Sequence, residues 1–111
     1  MLAPGKNYYG SPMRIETCFE DETGTLVDPV TVTFKTRSPC GTETTYVYLT
    51  NAELQRDSSG IYYCDFTPSE TGRWYYRWES TGPGTSVAFE GDFLIQRSPF
   101  YDGTEAAYRG W

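Results

Sequence analysis

Large apolar residues alternate with polar ones along Gly72-Arg73-Trp74-Tyr75-Tyr76-Arg77-Trp78-Glu79. A period of two sends alternate side chains to opposite faces of a strand. Trp74, Tyr76 and Trp78 then form a face too large to leave in water. Tyr75, Arg77 and Glu79 form a face suited to solvent or a partner. The run Ile61 to Thr67 repeats the pattern with Tyr62, Cys64 and Phe66 inward. A third run, Ser86 to Gln96, places Phe93 and Ile95 inward and makes Gly91 a candidate bulge. Residues 68–72 read as a hairpin loop, and Thr81-Gly82-Pro83-Gly84-Thr85 as a strong turn. The three runs predict a meander that supplies most of the large apolar surface.

The first half of the chain follows the same rule. Met13 to Glu20 alternates Met13, Ile15, Thr17 and Phe19 with Arg14, Glu16, Cys18 and Glu20. Asp21-Glu22-Thr23-Gly24 turns the chain. Val30 to Arg37 places Val30, Val32 and Phe34 on a core face. Ser38-Pro39-Cys40-Gly41 has Pro and Gly where a β-turn wants them, and Glu43 to Leu49 returns as the hairpin partner. Asn51 to Gln55 is a helical signal, since Asn51 can cap one turn with Glu53 near its positive end. Asp57 to Gly60 reads as a loop. Strands in two groups predict two packed sheets, with room for one more strand from the N-terminal arm. The predicted inner layer is Ile15, Phe19, Val30, Val32, Phe34, Tyr62, Phe66, Trp74, Tyr76, Trp78, Phe93 and Ile95.

Composition narrows the function. A chain of 111 residues makes one domain with a core of its own. The net charge of −6 leaves no basic patch for a phosphate backbone or an anionic membrane surface. Histidine is absent, so His-based acid–base catalysis, triads and His metal ligands are excluded. The three cysteines, an odd number without CxxC spacing, argue against a closed disulfide framework or a zinc site. They read as a core Cys64, a strand-face Cys18 and a turn Cys40. Glu20, Asp21, Glu22 and Asp28 lack calcium-loop spacing and read as a solvated turn. Many carboxylate pairs can be drawn, but nothing singles one out for glycoside hydrolysis. No cofactor is implied. Tyr46, Tyr48, Tyr63 and Tyr75 read as exposed, where they serve either cross-strand packing or stacking on sugar rings. The first ten residues lack the apolar stretch of a secretory signal, from which folding in a reducing cytoplasm is expected.

The ends differ from the middle. Residues 1–12 are broken by Pro4, Gly5, Gly10 and Pro12 and read as an extended arm carrying Tyr8 and Tyr9. Residues 98–111 form a second arm carrying Phe100, Tyr101, Tyr108 and Trp111. Aromatic side chains are common anchors at protein contacts. The expected organisation is an N-terminal arm over 1–12, a β-sandwich over 13–97 and a docking arm over 98–111, with at least one arm seated on a neighbouring chain.

Asp57 to Cys64 is similar to the tyrosine-corner stretch of antibody-type domains. Gly60 makes it one residue longer, however, and no tryptophan lies between Cys18 and Cys64, so no inter-sheet disulfide is expected. A broader resemblance covers residues 13–97. Gly24, Asp28-Pro29, Pro39-Cys40-Gly41, Gly60-Ile61-Tyr62 and Gly72-Arg73-Trp74-Tyr75-Tyr76-Arg77-Trp78 resemble the turn and strand motifs of small immunoglobulin-like structural proteins of tailed bacteriophages. The resemblance implies an immunoglobulin-like β-sandwich and a non-enzymatic virion part, assembled in the host cytoplasm. The expected role is a multi-copy head–tail connector or neck component. Portal, adaptor, capsid or tail proteins and further copies of the chain are its expected partners. Capsid decoration and a carbohydrate- or host-surface-binding module are the alternatives.

Overall fold

β-Branched and aromatic residues in alternation with polar ones draw most of the chain into strands. The computed structural model describes residues 7–82 and 86–97, with Asn7 and Tyr8 described for their backbone. The strands are β1 (Asn7–Tyr8), β2 (Met13–Cys18), β3 (Thr31–Arg37), β4 (Glu43–Val47), β5 (Leu54–Ser58), β6 (Ile61–Phe66), β7 (Gly72–Thr81) and β8 (Val87–Gln96). One sheet has the order β1-β8-β7-β3-β4 and the other β2-β6-β5. Every pairing is antiparallel except that of β1 with β8. The two sheets pack as a β-sandwich, and their strand order is compatible with an immunoglobulin-like arrangement.

The core lies between the sheets. Trp78, Phe34, Tyr62, Phe19, Leu54, Ile95, Val32 and Cys64 are almost fully buried. Phe34 and Trp78 are partners across β3 and β7, with ring centroids 4.5 Å apart. Trp74 stacks on Phe93 at 6.0 Å. The Trp78 indole N–H has no hydrogen-bond partner among the described residues, so packing alone holds that ring. Ile15, Tyr76 and Phe93 are partly buried and complete the cluster.

Several expectations are corrected. The run from 61 to 96 is not a three-strand meander. β6 pairs with β2 and β5, and the chain crosses to the other sheet between β6 and β7, so residues 68–72 are not a hairpin loop. Pro68 is fully buried in that crossover. Residues 51–55 form no helical turn. Asn51 Oδ1 accepts the Val47 N–H at 2.9 Å and Asn51 C=O accepts the Leu54 N–H at 3.1 Å, closing a turn into β5. Burial of Leu54 opposite Cys64 outweighs the local capping signal. β5 also takes in Asp57 and Ser58, which the sequence placed in a loop.

Val30 precedes β3 and is 72% exposed, so it is not a core residue. Gly91 is no bulge, because it pairs in register with Tyr76. Its missing side chain has a different cause: a Cβ there would run into the Tyr76 ring and hydroxyl. At Gly60, φ is +74°, and a Cβ would sit 2.8 Å from the Phe19 carbonyl oxygen. That close approach lets Gly60 C=O accept the Phe19 N–H at 2.7 Å.

Candidate docking surface

The N-terminal arm meets the sandwich at one corner. Asn7 and Tyr8 pair in parallel with Ile95 and Gln96, and Tyr9 N–H donates to Gln96 C=O at 2.7 Å. Tyr9 is an exposed aromatic residue with the Arg97 guanidinium 5.6 Å from its ring centroid. Of the six expected anchors, the structure places Tyr9 on this corner and the backbone of Tyr8 next to it. Phe100, Tyr101, Tyr108 and Trp111 lie outside the described residues, as does the Tyr8 side chain.

The outer face of the five-stranded sheet carries a ladder of charges. Arg73 pairs with Asp92, Arg77 with Glu79 and Glu90, Lys35 with Glu79, and Arg37 with Glu43. These pairs are largely exposed and contribute little stability individually. Tyr75 stands among them at 51% exposure, in register between Arg37 and Asp92. Beside it is a shallow hollow of about 460 Å³ lined by Lys35, Arg37, Glu43, Tyr75, Arg77 and Glu90.

The other tyrosines expected to be exposed are turned to other uses. Tyr46 pairs with Phe34, which sends it inward, with ring centroids 6.2 Å apart. Tyr48 meets Tyr62 edge-on at 5.1 Å. Tyr63 is half-buried beneath Arg14, whose guanidinium carbon lies 3.7 Å from the ring centroid. Arg14 is held there by a two-pronged bond to Asp65 at 2.7 and 2.9 Å. Tyr75 alone of the four presents an open ring.

Two acidic residues of the expected solvated turn, Asp21 and Asp28, are tied into the fold by their side chains. Asp21 Oδ1 accepts the Thr23 hydroxyl at 2.6 Å and the N–H groups of Thr23 and Thr25 at 2.8 and 3.1 Å. The Thr23 hydroxyl and these two N–H groups hold its carboxyl below the usual range. This geometry is a side-chain-closed turn. Among the described residues no group of His, Cys, Asp and Glu is placed to hold a metal ion.

Asp28 has a larger role that sequence reasoning missed. Its Oδ1 accepts from Arg56 Nε at 3.0 Å, Gly60 N–H at 2.8 Å and the Tyr62 hydroxyl at 3.1 Å. Its Oδ2 takes Arg56 Nη2 at 3.0 Å. The Arg56 hydrogen bonds, then the Gly60 N–H, pull its pKa down to about 2. Burial, with the bond to Asp28, pushes Tyr62 up to about 12. The buried tyrosine at the start of β6 is thus anchored on a side chain from the loop before β3. The available signal was the pairing of Asp28-Pro29 with Gly60-Ile61-Tyr62.

All three cysteines are free, with Cys18 and Cys40 exposed and Cys64 buried. Cys18 and Cys64 lie in the same sheet, so no bond between them could link the two sheets. The Cys40 thiol donates to Glu70 Oε2 at 2.9 Å, fastening the β3–β4 turn to the crossover. No protein-family model and no curated protein sequence matches the chain.

Proposed function

We propose that the chain is a non-enzymatic structural component of a tailed-phage particle, used in several copies as a head–tail connector or neck component. The sandwich is the rigid spacer, and its terminal segments are the contacts. The observation that carries this reading is the corner at Tyr9 and Arg97, where β1 seats on the end of β8 and the Tyr9 ring stays exposed. An exposed aromatic ring beside a guanidinium is suited to contact with a neighbour. The turn and strand motifs over residues 13–97 support the phage assignment, and the lack of histidine fits a part without catalysis. Removal of residues 98–111 tests the contact. The truncated chain is expected to fold and to be left out of the particle. Normal incorporation would refute docking through that segment.

A second reading rests on Tyr75. An open aromatic ring beside a hollow rimmed by arginine and glutamate suits a sugar ring, which stacks on the one and hydrogen-bonds the others. Glycan binding that survives removal of residues 98–111 and fails in Tyr75→Ala would favour a carbohydrate-binding module instead.

A further inference from the structure

The hollow beside Tyr75 is balanced in charge. The ladder around it sets Lys35, Arg37, Arg73 and Arg77 against Glu43, Glu79, Glu90 and Asp92, so its formal charges cancel. The chain as a whole carries −6. An anionic ligand therefore meets only cations that already face a carboxylate, and the field of the whole chain repels it from a distance. A cationic ligand meets only carboxylates that already face a cation.

The hydrogen bonds leave a definite pattern of donors and acceptors. Arg37 donates from Nη2 to Glu43 Oε2 at 2.7 Å. Arg77 donates from Nε to Glu79 Oε2 at 2.6 Å and from Nη1 to Glu90 Oε2 at 2.7 Å. Among the described residues, Arg37 Nε and Nη1 and Arg77 Nη2 donate to no other group, and Glu43 Oε1 and Glu90 Oε1 accept from none. Each of these two pairs thus sets a spare donor beside a spare acceptor. A hydroxyl both donates and accepts, whereas a carboxylate only accepts and an ammonium only donates. Two adjacent hydroxyls can satisfy the arginine and the glutamate together, through bonds strengthened by the charge on the protein side.

Tyr75 fixes where a ring would lie. It stands in register between Arg37 on β3 and Asp92 on β8, with half of its surface open. The Arg37–Glu43 pair lies toward β4 and the Arg77–Glu90 pair toward β8. A sugar ring stacked on Tyr75 therefore has hydroxyl-binding groups on both sides. We propose that this hollow selects a neutral saccharide with adjacent free hydroxyls, and that it rejects sugars carrying a carboxylate, a sulfate or an ammonium. The inference rests on the sugar-binding reading of Tyr75 and adds the chemical class of the ligand.

A glycan array that presents sialylated glycans beside their desialylated counterparts tests it, with the full chain applied at low and at high salt. Neutral glycans should bind about tenfold or more tighter than their acidic counterparts. Their binding should change by less than about twofold with salt, because no net charge is neutralised. Tyr75→Ala should abolish it. Glu43→Gln leaves Arg37 without its carboxylate, so it should raise binding to acidic glycans about threefold or more, and salt should screen that gain. Both positions are exposed, and circular dichroism of the two variants reports intact folding. Acidic glycans bound as tightly as neutral ones, or an unchanged preference in Glu43→Gln, would overturn the selectivity and leave the sugar reading standing. Binding to no glycan at all would overturn both.

Discussion

Replacement of Asp28 should reveal a hub that joins the loop before β3 to β5 and β6. In Asp28→Ala the Gly60 N–H and the buried Tyr62 hydroxyl lose their acceptor, and Arg56 loses both of its bonds. An orphaned buried donor costs about 1–3 kcal/mol, and an exposed ion pair about 0–1 kcal/mol. With two such donors orphaned, the expected loss at pH 7 is about 2 kcal/mol or more. Asp28→Asn keeps one oxygen for Gly60 and Tyr62 and should lose about 1 kcal/mol, close to the cost of Tyr62→Phe. The fall of the Asp28 pKa from 3.8 to about 2 would favour the charged form by about 2.4 kcal/mol. At 41% side-chain exposure, solvent screening reduces this to about 1 kcal/mol. A pKa depressed in the fold stabilises it above the unfolded value, and this contribution fades as pH falls from about 4 toward 2. Urea unfolding from pH 7 down to pH 2 is the assay. The gap between the natural chain and Asp28→Ala should narrow by about 1 kcal/mol over the acid range. A gap that stays constant, or a loss below about 0.5 kcal/mol at pH 7, would refute the hub.

Three further outcomes are expected. Leu54→Ala should cost about 2–5 kcal/mol in chemical denaturation, since Leu54 is a core residue of β5; a cost under about 1 kcal/mol would count against that burial. Gly91→Ala should cost about 1–3 kcal/mol by displacing the Tyr76 ring. Added to Tyr76→Ala it should cost much less, and additive losses in that double-mutant cycle would count against the contact. At pH 8 an aromatic disulfide reagent should modify Cys18 and Cys40 in the folded protein and Cys64 only on unfolding, because burial holds the Cys64 thiol up at about 12. Rapid reaction of all three thiols would contradict that burial.

The sandwich was legible because alternation over 13–18, 31–37, 61–66 and 72–79 is strong and each run ends in turn residues. Pairing was less legible. Nothing local distinguishes a hairpin at residues 68–72 from a crossover between sheets, since the choice depends on which face each strand must bury. β5 was hidden because Leu54 is its one buried residue and the rest of Leu54–Ser58 is polar. The phase of β4 was equally ambiguous. Tyr46 and Tyr48 face the core, whereas Thr44 and Thr45 give neither face an apolar mark. On the surface, the exposure of Tyr75 was readable from the alternation along β7. The Asp28 hub joins residues more than 25 positions apart, and only the folded geometry brings them together.

The most direct test of the central claim is a pull-down from the native source, with the tag placed in the segment between β7 and β8 to leave both terminal segments free. Mass spectrometry of the captured proteins should show portal, adaptor, capsid or tail proteins, and the dominant partner would locate the chain in the particle. Recovery of the chain with no particle protein would contradict a structural role in the virion and would shift the account to the Tyr75 face.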